Sequence, residues 1–577
     1  MAKTSEDQLA RDILTKAKEL EDLRLPWESL WQDVADYVVP RRFDIKGTAE
    51  KGQQTGTSIY DGSPMGALQL MADGFHGYLI SPNMQWFRLT LKKQGLDRVP
   101  EVKSWLQEVE EEMYFAFQQS NFYDCMSEYF LDGGSIGTAT MIIEEEVNQG
   151  GRINFLCMHP GEVFIAENHF KRVDTVFRKF ELTARQALQK FGDGGNLSDK
   201  LIRDAKKPGT ANTTYQFWHA VFPREDRDVT MSDSKNMPYA SVYVELSGSG
   251  TSSEKGTTAR EMGYRSFPYP VWRFRKNSNE TYGRSPAGDA LVEIKKLNEI
   301  GKTMLRAAQL SVEPPYNVPS EMKGAVNIKP RGFNYYEDPN RVVTPLMQRI
   351  DFPFGIDREE RSRQIIEEHF RVDFFLMLAR AEKQMTATEI LERQGEKAAV
   401  LGATIGRLNN ECLNPVIDRV FELLMNSGRL PEPPGILLEY SGQNIDVEYL
   451  GPLAQAQRRL FRTQGISAAL EQAAPVLQLQ QTLTGRADAA DLIDFDETLR
   501  EILDANGAPQ KIILTEERLK ALREAKAQAQ EEAQQKQDMM GGIEGLKGLA
   551  QADQASGGKL SGAMQGAMGQ EGQGLVQ

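Results

Sequence analysis

Only three cysteines, Cys125, Cys157 and Cys412, occur in 577 residues, and no two form a C-x-x-C pair. A disulfide framework needs more of them at closer spacing, so the chain reads as a protein of a reducing compartment. Long apolar runs are also missing. The longest of note, Phe374 to Ala379, covers about a third of a membrane span. The start of the chain, MAKTSEDQLARDILTKAKEL, lacks the apolar centre of a signal peptide. These absences argue against a membrane or secreted protein. The N-x-S/T triplets at Asn196, Asn212 and Asn279 are then chance matches.

Basic charge is in deficit too: 68 Lys and Arg stand against 82 Asp and Glu, a net charge of −14. A protein that grips nucleic acid through its phosphates usually carries a basic excess, so tight, sequence-specific DNA binding is disfavoured. No G-x-x-x-x-G-K-[ST] occurs, and Gly558-Lys559 lacks the preceding spacing and the strand-to-helix context. The chain is therefore not a P-loop ATPase.

Footholds for catalysis or metal binding are few. Gly133-Gly134-Ser135-Ile136-Gly137 matches G-x-S-x-G, but a nucleophile elbow needs a strand before the serine and a helix after it. Here a helix ending at Asp132 precedes and a strand near Thr138 follows, so a glycine-rich helix-to-strand turn explains the same residues. The five histidines, His76, His159, His169, His219 and His369, show no H-E-x-x-H spacing, and Cys157 with His159 is one pair where a structural zinc needs four ligands. The acidic runs Glu110 to Glu112 and Glu144 to Glu146 read as a solvated helix face and a strand end. The expectation is a protein with no catalytic, metal or cofactor site.

At this length several packed regions are expected. Ser5 with Gln8 caps a first helix, Pro26 opens a second carrying Trp27, Leu30, Trp31, Val34 and Val38, and Pro40 stops it. Helices follow over Pro64 to Leu79, Pro100 to Gln119 and Tyr123 to Leu131. From Gly133 the pattern changes: Thr138 to Val147 and Arg152 to Met158 form a hairpin across Asn148-Gln149-Gly150-Gly151. Further strands are expected at Glu162 to Ala166, Val173 to Phe180, Tyr215 to Phe222, Tyr239 to Leu246 and Val271 to Phe274. Thr183 and Gln186 cap a short helix, and Ser247 to Thr258 is a surface loop.

Helical character returns at Ser285, an N-cap followed by Pro286, in a helix to about Leu310 with Leu291, Ile294, Leu297 and Leu305 on one face. An insert with Pro314, Pro315, Pro319, Pro330, Pro339 and Pro345 forbids a continuous helix. Asp357 with Glu360 then starts a second long helix to Arg380, with Ile366, Phe370, Phe374 and Leu378 at spacings of four. After a break at Glu382 to Met385, Thr386 and Glu389 cap a helix that Gly395, Gly402 and Gly406 weaken. Pro415 to Met425 and Thr515 to about Gln537 are helical, and the tail beyond Met539 is disordered.

Four separated blocks resemble one family. ESLWQDVADYVVPRR (Glu28 to Arg42), SIYDGSPMGALQLMADGFHGYLISPNMQWFRL (Ser58 to Leu89), Tyr282-Gly283-Arg284-Ser285-Pro286 and MTATEILERQ (Met385 to Gln394) are similar to the head-to-tail connecting, or portal, proteins of short-tailed phages. The resemblance runs in the same order over roughly residues 20 to 500. It implies an α+β, predominantly helical portal fold with wing, stem, clip and crown regions, assembled as a ring, usually a homododecamer, around a DNA channel. On this chain it implies a helical part of the wing over 1–132, an α+β wing over 133–284, stem helices over 285–310 and 357–381, and a clip over 311–356. The tunnel loop falls at 382–385, kinked wing and crown helices at 386–509, a crown or barrel helix at 510–538, and a disordered tail at 539–577.

The family's role is genome packaging and ejection at one capsid vertex of the virion, after assembly in the host cytoplasm. The partners implied are the major capsid protein, the terminase large subunit, tail adaptor proteins and double-stranded DNA passing without sequence specificity, with no membrane. Twelve copies at −14 each discourage adhesion to phosphates, so passage is lubricated more than gripped. Lys295, Lys296, Lys302, Arg306, Lys383 and Gln384 are the candidate DNA-channel residues, though charges on long helices equally suit ordinary ion pairs. Pro314, Pro315, Tyr316, Tyr335 and Tyr336 are the candidate clip residues for partner binding. A non-portal virion structural or adaptor protein is the alternative, and a serine hydrolase using Ser135 a more remote one.

Overall fold

A computed structural model describes residues 2–380 and 401–451, except short stretches within 43–53, 92–98, 147–150, 193–194, 247–255, 321–352 and 440–444 and residue 232. Beyond 451 it describes 469, 472–475, parts of 492–500, and 518–530. These fall into two units, Met1–Arg486 and Ala487–Gln577. In the second, residues 518–530 are helical and Arg523 pairs with Asp496 at 2.6 Å.

The first 36 residues after Met1 form one helix, α1 (Ala2–Tyr37), with Pro26 inside it. The expected helix start at Pro26 is therefore corrected: the chain passes straight through. An interior proline costs about 3 kcal/mol, but α1 is held on both sides of it. Ala10, Ile13, Ala17 and Leu20 are buried against a sheet, while Trp31, Val34, Ala35 and Val38 enter a second core. Each large apolar side chain buried is worth roughly 1.5–3 kcal/mol, enough together to offset the lost bond. Next to the proline, Arg24 donates to the carbonyls of Gly161 and Val163 at 2.9 and 3.0 Å and lies over the Phe164 ring.

That sheet is a five-stranded antiparallel meander: β4 (Val163–Glu167), β5 (Val173–Thr183), β6 (Thr214–Pro223), β7 (Tyr239–Leu246) and β8 (Gly256–Tyr264), each paired with the next. The period of two sends Phe177, Trp218, Val242 and Val244 to α1, and Phe180, Phe217 and Tyr243 to the other face, where α5 (Ala184–Phe191) and α6 (Asp199–Lys206) cover them. The loop expected over Ser247 to Thr258 gives way at Gly256 to β8, which the sequence reading missed. Its Thr-rich start pairs with β7, and Gly256 leaves room for Val244.

The larger core is helical. It gathers α2 (Ser63–Leu79), α3 (Pro100–Gln119), α4 (Phe122–Ser135) and the base of α7 (Pro286–Val312) around a sheet in which β2 (Thr138–Glu146) lies between β3 (Arg152–Cys157) and β9 (Val271–Arg273). A further antiparallel pair, β1 (Phe87–Leu91) with β12 (Ile445–Tyr449), joins distant parts of the chain. The second long helix starts earlier than Asp357 and is not continuous. It divides into α8 (Pro353–Phe370) and α9 (Val372–Arg380), and Arg371 between them has φ 57°. Phe370, Val372, Phe374 and Phe375 are all buried, and no straight helix puts them on one face. The left-handed residue resets the phase, so that Phe375 packs over Gly74, whose missing Cβ leaves it room, and against Phe75 at 5.5 Å.

Candidate functional site

The feature the family reading turns on is the pair α7 and α8, which pack along each other and bracket the Pro-rich insert. Its base is built in three places. At the start of α7, the Ser285 hydroxyl accepts from Gly288 N–H at 2.9 Å and Pro286 occupies the first turn. Just before it, Gly283 N–H donates to Thr138 Oγ1 at 2.9 Å, and Gly283 approaches Gly137 so closely that neither position has space for a Cβ. Gly137 also has φ +89°, a conformation that glycine alone adopts cheaply. Tyr282 stands against Trp31 at 5.1 Å and Trp27 at 5.9 Å, and its hydroxyl accepts from Ile165 N–H at 3.3 Å.

Just over three turns along α7, Asn298 reaches the segment before α2. Its side chain accepts from Tyr60 N–H at 2.7 Å and donates to the Ser58 carbonyl at 3.0 Å. The next residue of that segment, Asp61, holds α8: its carboxylate accepts from Arg363 at 2.9 Å and from Ser63 N–H at 2.8 Å. Burial pushes the Asp61 carboxyl up, but the Ser63 and Arg363 bonds outweigh it and hold it below the usual carboxylate range. Ser58 to Asp61 thus clamps both helices of the pair. Between the helices, Ser362 Oγ donates to Glu293 at 3.2 Å. Arg42, at the end of the Glu28–Arg42 block, ties α1 to α4 through Asp132 at 3.0 Å and Glu128 at 3.1 Å.

Beyond Asn298 no residue of α7 is buried, and Leu305 (50% exposed) and Val312 (80%) stand open. The insert returns through a two-residue pairing, β10 (Tyr316–Asn317) with β11 (Thr344–Pro345). Pro315, Tyr316 and Tyr335 are exposed and Pro314 is half-buried, while Tyr336 lies outside the described residues.

The channel candidates divide. Lys295 pairs with Asp33 of α1 at 2.8 Å, Lys296 with Glu293 at 2.9 Å and Lys302 with Glu299 at 3.2 Å. Arg306 is exposed and has no ion pair among the described residues. Lys383, Gln384 and the MTATEILERQ block lie outside the described residues.

The Ser135 position is the reverse of a nucleophile elbow. It lies in the last turn of α4 before β2, fully buried, and its hydroxyl donates to the Leu131 carbonyl at 2.7 Å. The Cys157 thiol meets Asp132 at 3.6 Å, and His159 Nδ1 accepts from Gly161 N–H at 3.2 Å. Among the described residues no group of three His, Cys, Asp or Glu is placed to hold a metal ion, and no helix is long and apolar enough to cross a membrane.

Two sites escaped the sequence reading. Glu110, expected on a solvated face with Glu111 and Glu112, is buried and accepts from Leu89 N–H at 2.7 Å. Burial pushes its pKa up to about 7 against that bond. The correction has a period behind it: Val102, Leu106, Val109, Glu110, Met113 and Phe117 share one stripe. Arg273 is the second, 2% exposed and fanned out to Glu411 at 2.6 Å, to the Lys171 carbonyl at 3.1 Å, and to Glu167. Glu411 belongs to a π-helical turn, Asn409–Leu413, and also holds Arg407 at 2.8 Å. Nothing in the spacing of Arg273 distinguishes it from a surface arginine on a strand.

These blocks agree with a comparison to known proteins. A family model described as bacteriophage head to tail connecting protein matches residues 10–514. The chain belongs to this family. It is 30% identical over 542 residues to a protein of Bordetella phage BPP-1 named probable portal protein, covering 93% of this chain and 94% of that one. It is 29% identical over 569 residues to the portal protein of Salmonella phage epsilon15, covering 96% of each. The family is a structural one, and the Ser58–Asp61 clamp and the Tyr282–Pro286 junction are the parts of this connector that fix its helix pair.

Proposed function

We propose that the connector assembles as a ring at one capsid vertex and forms the channel through which the genome is packaged and ejected. The observation that carries this is the far half of α7. The helix is anchored at its base by three separate devices, yet Leu305 and Val312, which share one face at i and i+7, stand 50% and 80% exposed. A two-turn apolar surface on an anchored helix calls for a neighbour, and a closed ring of identical subunits supplies one to every copy.

In this reading α7 and α8 are the stem, 311–356 the clip and 382–385 the tunnel loop. Exposed Tyr316 and Tyr335, with Pro314, Pro315 and Tyr336, offer aromatic anchors to the terminase large subunit and to tail adaptor proteins. The wing meets the major capsid protein, and the assembled ring is a virion component made in the host cytoplasm. Double-stranded DNA passes without sequence specificity. With Lys295, Lys296 and Lys302 engaged by carboxylates, Arg306, Lys383 and Gln384 are the stem and loop positions left to temper repulsion between DNA and an acidic ring.

Electron microscopy of the purified full chain tests the proposal. Rings with a central hole and roughly twelvefold symmetry are expected. Uniform monomers at micromolar concentration contradict it and favour a non-portal adaptor.

A further inference from the structure

The helices α5 and α6 lie on the face of the five-stranded sheet opposite α1. Between Thr183 and Pro208 six Lys and Arg stand against three Asp and no Glu, in a chain whose net charge is −14. The folding of this hairpin sorts those charges. Asp204 turns inward and accepts from the Tyr215 hydroxyl at 2.6 Å, and the neighbouring buried Glu245 is occupied by Ser198 N–H at 2.8 Å and by the Ser198 hydroxyl. The Lys190 ammonium lies over the Tyr243 ring at 4.9 Å. Arg185, Lys200, Arg203, Lys206 and Lys207 are left exposed, and none has an ion pair among the described residues.

Their placement follows from the period of 3.6. On α6 the buried side is Leu201, with Ile202 and Ala205 half-buried, so Lys200, Arg203 and Lys207, at i, i+3 and i+7, lie on the opposite side. On α5, Ala184, Ala187 and Phe191 are buried, and Arg185, Gln186 and Gln189 face out. Among the described residues of the two helices Asp199 is the one exposed acid, and Arg203 Nε donates to its backbone carbonyl at 3.1 Å. Both helices are capped by side chains, Thr183 with Gln186 and Ser198 on Leu201 N–H, so the surface is presented on a fixed base.

We infer that this outward face of α5 and α6 binds the phosphate backbone of double-stranded DNA, without sequence preference and separately from any channel. Eight helical residues span about 12 Å, a length over which the duplex carries about seven phosphates. The surface holds cations and glutamines, and none of the exposed large apolar residues lies between Val173 and Arg227. A protein partner would need an apolar or aromatic anchor there, whereas a polyanion needs only charge and amide donors. The inference does not rest on the ring, whose presence electron microscopy reports independently.

The test is fluorescence anisotropy of a short labelled duplex titrated with the purified full chain at about 50 mM salt, repeated at rising salt. The fourfold variant Lys200→Gln, Arg203→Gln, Lys206→Gln, Lys207→Gln is expected to bind at least tenfold more weakly. Its slope of log affinity on log salt is expected to be shallower by about 3.6, since each of the four phosphate contacts contributes about 0.9. A companion variant with Lys200, Lys206 and Lys207 each changed to Arg keeps the charge and is expected to retain both affinity and slope, which separates lost charge from lost fold. Wild-type affinity and slope in the fourfold Gln variant would overturn the inference. So would displacement of the duplex by polyglutamate at equal charge concentration, which would point to an acidic protein instead.

Discussion

Replacing Glu110 by Gln should stabilise this protein above neutral pH and do almost nothing under mildly acidic conditions. The carboxyl lies on the buried stripe of α3, where one oxygen accepts from Leu89 N–H at 2.7 Å, and beside it the Tyr114 hydroxyl serves both Trp86 and Phe87 N–H at 2.8 Å. Arg88 lies nearby but is itself paired with Glu448 at 3.6 Å, and Glu111 adds a like charge. Desolvation therefore dominates, and the folded-state pKa rises from 4.5 to about 7.

Between those two values the folded chain holds a proton that the unfolded chain has released, so stability falls as pH rises and levels off once the folded group has also ionised. A difference of about 2.5 units corresponds to roughly 3 kcal/mol. Glutamine keeps an oxygen for Leu89 and cannot ionise. Urea unfolding followed by tryptophan fluorescence should place Glu110→Gln up to about 3 kcal/mol above the wild type near pH 8, and within about 0.5 kcal/mol of it near pH 4.5. Other titrating groups, such as His219, cancel in that difference. An equal difference at both pH values would refute the argument, because packing or hydrogen bonding, and not ionisation, would then be responsible.

Two further outcomes follow from the base of the helix pair. Asn298→Ala removes both bonds to the Ser58–Tyr60 segment and is expected to cost about 1–3 kcal/mol, with faster amide exchange at Tyr60; Asn298→Asp keeps the acceptor for Tyr60 N–H and should protect that amide better than alanine does. Gly137→Ala places a Cβ 2.6 Å from the Gly283 carbonyl oxygen at φ +89° and is expected to abolish soluble protein, whereas Gly192→Ala, at φ 68° and ψ −174° with nothing within 4 Å, meets no clash and should stay soluble with about 1–3 kcal/mol of backbone strain read as a lower melting temperature. Soluble yield and thermal melts of the two variants check the contrast.

The helix, insert, helix layout was legible because its signals are local: Ser285 and Pro286 at one end, prolines through the insert, and a period near four in the second helix. So were most strands of the meander, whose alternation of apolar residues is plain. What stayed hidden depends on contacts across the chain. Pro26 is a helix starter by propensity and became an interior residue because two cores hold α1 on either side of it. The break at Arg371 looks like an uninterrupted four-residue period until Gly74 and Phe75 set where Phe375 has to go. Glu110 was hidden by its acidic neighbours, although the stripe through Val102, Leu106, Val109 and Met113 runs directly over it.

The pairing of β1 with β12 sets a schedule for the growing polypeptide. Thr90 and Asp446, which bond across this pair, are 356 positions apart. At the usual rate of about 5–20 residues per second, the ribosome needs roughly 20–70 seconds to make what separates them. Throughout that interval the first strand, Phe87–Leu91, waits without its partner edge. The helices and the meander between them can fold as they emerge, but the clasp closes only after Ile445–Tyr449 has been made. Truncated nascent chains that stop before Ile445 therefore expose an open strand edge, the kind of surface that recruits chaperones or seeds aggregation.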